Sequence, residues 1–208
     1  MRKVAMLAAV AVTGAFAVAG VAQAVDAEHK LVVRTTPTKA TTVHFDKNLV
    51  FNGSKLKSCA KSTVQSDQTK CPSESKVGTG KATGVALGQT ENLTVTAFNG
   101  PGGNKLELHV VGNAPLVIDS VIEGVLKSDT GKFGKKLVVK IPENLQQPLT
   151  GVFATLTDFQ VTLKGKGSTK KPYYIGLKGC SGGKINMKVD LTYTDGTSQS
   201  ATSTTPCS

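Results

Sequence analysis

Two pairs of residues have the types and spacing for metal chemistry. His44 and Asp46 stand two apart in Thr42–Phe51, and Glu107 and His109 stand two apart in Lys105–Val111. Both segments alternate apolar and polar residues, so each pair shares one strand face. Were the two strands neighbours, two imidazoles and two carboxylates would suit a divalent cation. The plainer expectation is polar residues on the solvent face of antiparallel strands. We assign no metal and no cofactor from the sequence.

Other arrangements fall short of a known chemistry. Gly78-Thr79-Gly80-Lys81-Ala82-Thr83-Gly84 has the flavour of a phosphate-binding loop. Such a loop needs glycine five positions before its Gly-Lys step, and Ser75 stands there. It must also run from a strand into a helix, whereas alternation continues here. The expectation is a twisted or bulged strand with glycines at tight points. No Gly-x-Ser-x-Gly elbow supports a Ser-His-Asp hydrolase, so the sequence predicts a protein that is not an enzyme.

The cysteines Cys59, Cys71, Cys180 and Cys207 are best used as disulfides. No Cys-x-x-Cys pair and no nearby histidine pair favours zinc. Four cysteines allow three pairings. Locality favours Cys59–Cys71 and Cys180–Cys207, which enclose 11 and 26 residues.

Charge gives one candidate contact surface. The 208 residues carry a net charge of +11. Lysines gather at Lys132, Lys135, Lys136 and Lys140, and again at Lys164, Lys166, Lys170, Lys171 and Lys178. The second group lies in a Gly/Ser/Pro-containing loop and is the candidate polyanion contact. The bland alternative is a solubilising surface whose lysines discourage edge pairing. Specific nucleic-acid recognition is disfavoured. Beyond the N-terminal leader the only arginine is Arg34, and aromatics are 5% of the chain, which removes the usual forks and stacking platforms.

These residues need elements to hold them. Arg2 and Lys3, an apolar stretch from Val4 to Val21, and Ala22-Gln23-Ala24 have the three-part form of a secretory signal peptide. Cleavage after Ala24 gives residues 1–24 as signal and 25–208 as one mature domain, lowering the net charge to +9. An oxidising compartment then suits two disulfides. No second apolar run of spanning length follows, so no membrane span is expected after cleavage.

Beyond the signal, short runs of Val, Thr, Ile and Leu alternate with polar residues between Gly, Asn, Asp and Pro punctuation. Strands are predicted at His29–Thr35, Thr42–Phe51, Val77–Leu87, Leu93–Phe98, Lys105–Val111, Leu116–Leu126, Lys135–Ile141, Phe153–Lys164, Tyr173–Leu177, Lys184–Thr194 and Thr197–Thr204. Asp195-Gly196 is the strongest hairpin signal. Only Ser58–Ser66 suits a short helix, with Ser58 as its N-cap. The expected fold is all-β, a single antiparallel β-sandwich of immunoglobulin-like or jelly-roll-like type.

The segments Cys71-Pro72-Ser73-Glu74-Ser75-Lys76-Val77-Gly78-Thr79-Gly80, Phe133–Pro142, Leu156–Leu163, Gly179–Gly183 and Thr192–Thr197 form a pattern. It resembles a group of uncharacterised secreted proteins of actinobacterial type. The resemblance implies a secreted, disulfide-stapled β-domain and brings no activity.

Function is therefore expected to be non-enzymatic: a secreted, surface-associated binding or structural module. Its lysine-rich face would meet an anionic cell-envelope polymer or glycan. The alternative is a carrier holding a small apolar ligand between the sheets; a secreted enzyme ranks third.

Overall fold

The computed structural model describes residues 11–19, 25–32, 35–164 and 173–206. Within them the strands are β1 (Ala11–Ala19), β2 (Val25–Val32), β3 (Thr38–Asp46), β4 (Leu49–Phe51), β5 (Lys76–Ala86), β6 (Gln89–Asn99), β7 (Lys105–Gly112), β8 (Ile118–Ser128), β9 (Phe133–Lys140), β10 (Thr155–Lys164), β11 (Ile175–Leu177), β12 (Lys184–Tyr193) and β13 (Ser198–Pro206). Two short helices accompany them, α1 (Lys61–Asp67) and α2 (Glu143–Gln146). The all-β expectation holds.

The main sheet runs in the order β13-β12-β3-β9-β8-β7-β6-β5-β10-β1-β2. Every neighbouring pair from β13 to β10 is antiparallel. β1, inside the segment read as a signal peptide, pairs parallel to β10 and antiparallel to β2. β4 and β11 form a separate two-stranded ribbon. The sheet curls strongly, and β2 comes alongside β13. Opposite walls of one sheet thus face each other across a single core.

Strand alternation builds that core. Val43 and Phe45 of β3, Leu106, Leu108 and Val110 of β7, Val161 and Leu163 of β10, and Ile185, Met187 and Val189 of β12 are all buried in one cluster. The predicted inward face of β12, including Leu191 and Tyr193, is buried throughout. In β10 the apolar residues Leu156, Phe159, Val161 and Leu163 all pack on the core, although Leu156 and Phe159 are three apart. A bulge between Leu156 and Asp158 brings Leu156 onto the face of Phe159.

The glycines of β5 serve close packing. A Cβ on Gly80 would lie 1.9 Å from the Gln160 carbonyl oxygen, and one on Gly78 would lie 2.6 Å from that of Thr162. Only hydrogen fits where β10 crosses so near. The Gly78–Gly84 segment stays a strand from end to end, as alternation required.

Two elements depart from expectation. The predicted strand Thr42–Phe51 is two strands, because a turn at Lys47-Asn48 interrupts it. The Asp46 carboxylate accepts from the Asn48 N–H at 2.9 Å and closes that turn. The helix begins at Lys61, with Ala60 and not Ser58 at its N-cap. Cys59 is held extended by its N–H bond to the Asn99 carbonyl, 2.9 Å, and by its disulfide to Cys71.

The stretch 53–75 forms a second layer outside the sheet. Cys59, Val64, Phe98 and Val121 make a small core there, with Cys71 against it. Asn99 donates to the carbonyls of Gly53 and Lys57 at 2.9 and 3.0 Å, lashing the layer to β6. Cys180 is disulfide-bonded as well. Cys207, the cysteine left over, lies outside the described residues.

Candidate functional site

Antiparallel order brings one set of connections to one end of the sheet. The β5–β6 turn, the β7–β8 loop and the segment between β9 and β10 all lie there. Between them is a cavity of about 90 Å³. Its walls are almost wholly apolar: Ala82, Val85 and Ala86 of β5, Leu93 of β6, Val110 of β7, Ile118 and Ile122 of β8, and Leu156 and Phe159 of β10. Leu116 and Leu145 close it from the loops.

Several of these side chains are only half buried. Leu93, Ile118, Ile141, Leu145, Leu156 and Phe159 pack on the core yet keep part of their surface free. The large exposed hydrophobic residues continue this surface outward. Leu87, Val117, Leu149 and Phe153 are 69%, 87%, 51% and 58% exposed. Val117, Leu149 and Phe153 belong to connections that also line the cavity, and Leu87 directly follows Ala86, which lines it. The result is an apolar hollow with an apolar rim, which soluble surfaces rarely present without use.

The polar groups of the cavity are few. Gln146 donates to the Ile141 carbonyl at 2.6 Å, and the Thr155 hydroxyl donates to the Thr35 carbonyl at 3.1 Å. Glu91 is 3% exposed. Its Oε2 accepts from the Leu116 N–H at 2.8 Å. Its Oε1 is buried with no hydrogen-bond partner. Space for that oxygen comes from Gly112, where a Cβ would stand 2.6 Å from it.

The histidine pairs do not converge. β9 and β8 separate His44 on β3 from His109 on β7. Among the described residues no group of three or more His, Cys, Asp or Glu is placed to hold a metal ion. His44 instead bridges two carboxylates, Nδ1 to Asp129 at 2.5 Å and Nε2 to Asp190 at 2.8 Å. Burial raises both aspartates, but hydrogen bonds outweigh it and hold them below the ordinary carboxylate range. Those bonds come from His44 and the Thr130 N–H to Asp129, and from Lys188, Ser200 and His44 to Asp190. Ser200 donates to Asp190 and not to the imidazole, so it is not arranged as a histidine-activated nucleophile.

Glu107 and His109 correct the solvent-face expectation. Glu107 is 0% exposed and His109 is 5% exposed. They do point away from the main core, as alternation required. The disulfide-bonded outer layer with α1 covers them there. Burial, then the nearby charge of Glu123, pushes the Glu107 carboxyl up to about 7, against the opposing pull of Lys105 and Lys61. His109 Nε2 meets Asp119 at 2.8 Å.

The lysine surface is only partly placed. Lys166, Lys170 and Lys171 lie outside the described residues. Lys164 and Lys178 are exposed, and the Lys164 ammonium donates to the Lys76 carbonyl. β10 runs from the cavity end at Thr155 to Lys164, so this basic end lies opposite the cavity. Lys136 of the other group is 3.6 Å from Asp129.

Glu91 was the site residue missed by sequence reasoning. Its signal was present: Glu91, Leu93, Val95 and Ala97 alternate onto one face, and the last two are core. A carboxylate on an inward face is the feature to have singled out. Comparison with protein-family models, curated proteins and solved structures gives no match.

Proposed function

We propose that this protein is an exported, non-enzymatic binding module that holds a small apolar ligand in the cavity at the end of its sheet. The observation that carries the reading is the apolar hollow continued by the rim of Leu87, Val117, Leu149 and Phe153. Ligand sites are typically concave and apolar with a few placed polar groups. An intramolecular disulfide accords with export. Among the described residues no helix is long and apolar enough to cross a membrane.

Magnitudes set the ligand size. A 150 Å³ apolar cavity holds benzene, so about 90 Å³ accepts only a short alkyl segment. Five methylenes at about 0.8 kcal/mol each give about 4 kcal/mol. That corresponds to a Kd of about 1 mM. A tighter ligand must extend onto the rim.

The test is methyl NMR of the protein titrated with hexanol. Saturable shifts of the Ala82, Ala86 and Ala154 methyls are expected. Ala154 is half buried at the cavity edge, so Ala154→Trp should fill the opening and abolish the Ala82 and Ala86 shifts while the protein stays folded. Shifts that never saturate, or that survive Ala154→Trp, would overturn the reading.

A further inference from the structure

Glu91 is an odd residue to find in an apolar hollow. A buried carboxylate oxygen without a partner is costly, because nothing replaces the water it gave up. Gln146 and Thr155 use hydrogen-bonding groups within the protein. Glu91 Oε2 is likewise used, by the Leu116 N–H. Glu91 Oε1 alone among these is left buried and unpartnered, and Glu91 lines the cavity. The backbone makes room for it at Gly112. A loop anchor needs only one oxygen; the second, packed over Gly112, has its lone pairs unused.

We propose that Glu91 is the polar anchor of the ligand site, and that the site selects apolar molecules ending in a hydrogen-bond donor, a hydroxyl or a primary ammonium. The inference rests on the apolar-ligand reading above. The donor end draws Oε1 from its place over Gly112 toward the hollow, and the hydrocarbon lies against Leu93, Ile118 and Phe159. A molecule of the same size that only accepts hydrogen bonds meets an acceptor and leaves Oε1 unsatisfied. Such mismatches discriminate more strongly than a missing methylene does.

The experiment titrates the full chain with hexanol, hexylamine and hexyl methyl ether, read by the cavity methyl shifts. Hexanol and hexylamine are expected to bind about tenfold or more tighter than the ether, the scale of a hydrogen bond to a charged group. Glu91→Leu should bring all three within about twofold of one another while the ether still binds. Glu91→Gln keeps an acceptor without the charge and guards against a misfolded leucine variant. It should retain the preference for hexanol over the ether and lose any extra affinity for hexylamine. An amine advantage in the native protein assigns an ammonium ligand; equal affinity assigns a hydroxyl. If all three bind the native protein equally, the anchor is wrong and the apolar site stands. If none binds, both are wrong.

Discussion

Glu107 and the aspartates around the sheet act on stability in opposite pH ranges. The folded Glu107 carboxyl titrates at about 7, above its ordinary 4.5. Its native state therefore holds a proton that the unfolded chain has released. The associated stability is present below the unfolded value and is lost as pH rises through 7. The loss is on the order of 3 kcal/mol. Asp46, Asp129 and Asp190 are held below 3.8, so their stability is present above that value and is lost in acid. Taken together these groups favour the fold most at mildly acidic pH. Glu107→Gln should flatten the decline in urea-unfolding free energy between pH 5 and pH 8, leaving the acid limb unchanged. An undiminished decline would show that another group titrates. The burial of Glu107 was not legible from alternation, which reports the face and not what covers it. Glu91 was missed because the strand read from the sequence starts at Leu93, whereas the strand extends back to Gln89 and carries the face of Val95 and Ala97 to Glu91.

At the scale of elements, local chemistry decided most strands and failed where distant contacts intervene. The β12 and β13 segments were read closely because their alternation is uninterrupted, and β5 and β9 because their register shifts fall near one end. The break at Lys47-Asn48 depends on Asp46, which also accepts from the Asn186 N–H at 2.8 Å, a partner 140 residues away. The helix start likewise depends on Asn99 and on the Cys59–Cys71 bond. That bond encloses a short loop and holds the outer layer over Glu107. Replacing both cysteines with alanine should lower stability by about 2–4 kcal/mol. It should also weaken the pH 5–8 decline, since a loosened layer rehydrates Glu107. A full loss of stability with the decline intact would place the cover elsewhere. A second element prediction concerns β1. Cleavage after Ala24 would take β1 away from β10, while β5 remains on the other side of β10. In a chain beginning at Val25, the β10 amides facing β1 should exchange faster than in the full chain, and those facing β5 should not. Equal exchange in both chains would mean that another segment occupies the edge.

For the whole molecule, sequence supplied the class of fold but not the strand order, and the cavity is a product of that order. β3 sits between β12 and β9, a pairing of segments far apart in the chain that periodicity does not encode. Once the order is set, the β5–β6 turn, the β7–β8 loop and the β9–β10 segment must meet at one end, and their exposed Leu87, Val117, Leu149 and Phe153 fall together with the hollow. The individual residues looked like ordinary loop hydrophobics in the sequence. Their shared end gives them a common role: covering the part of a ligand too long for the cavity. Affinity should then rise with chain length beyond hexanol, as each further methylene buried on the rim adds up to about 0.8 kcal/mol. Leu149→Ser with Phe153→Ser should remove most of that gain for decanol and cost hexanol much less, because a larger share of its shorter chain lies in the cavity. These two side chains are more than half exposed, so the fold should tolerate their loss. Equal losses for both alcohols would instead mean that the rim shapes the cavity itself.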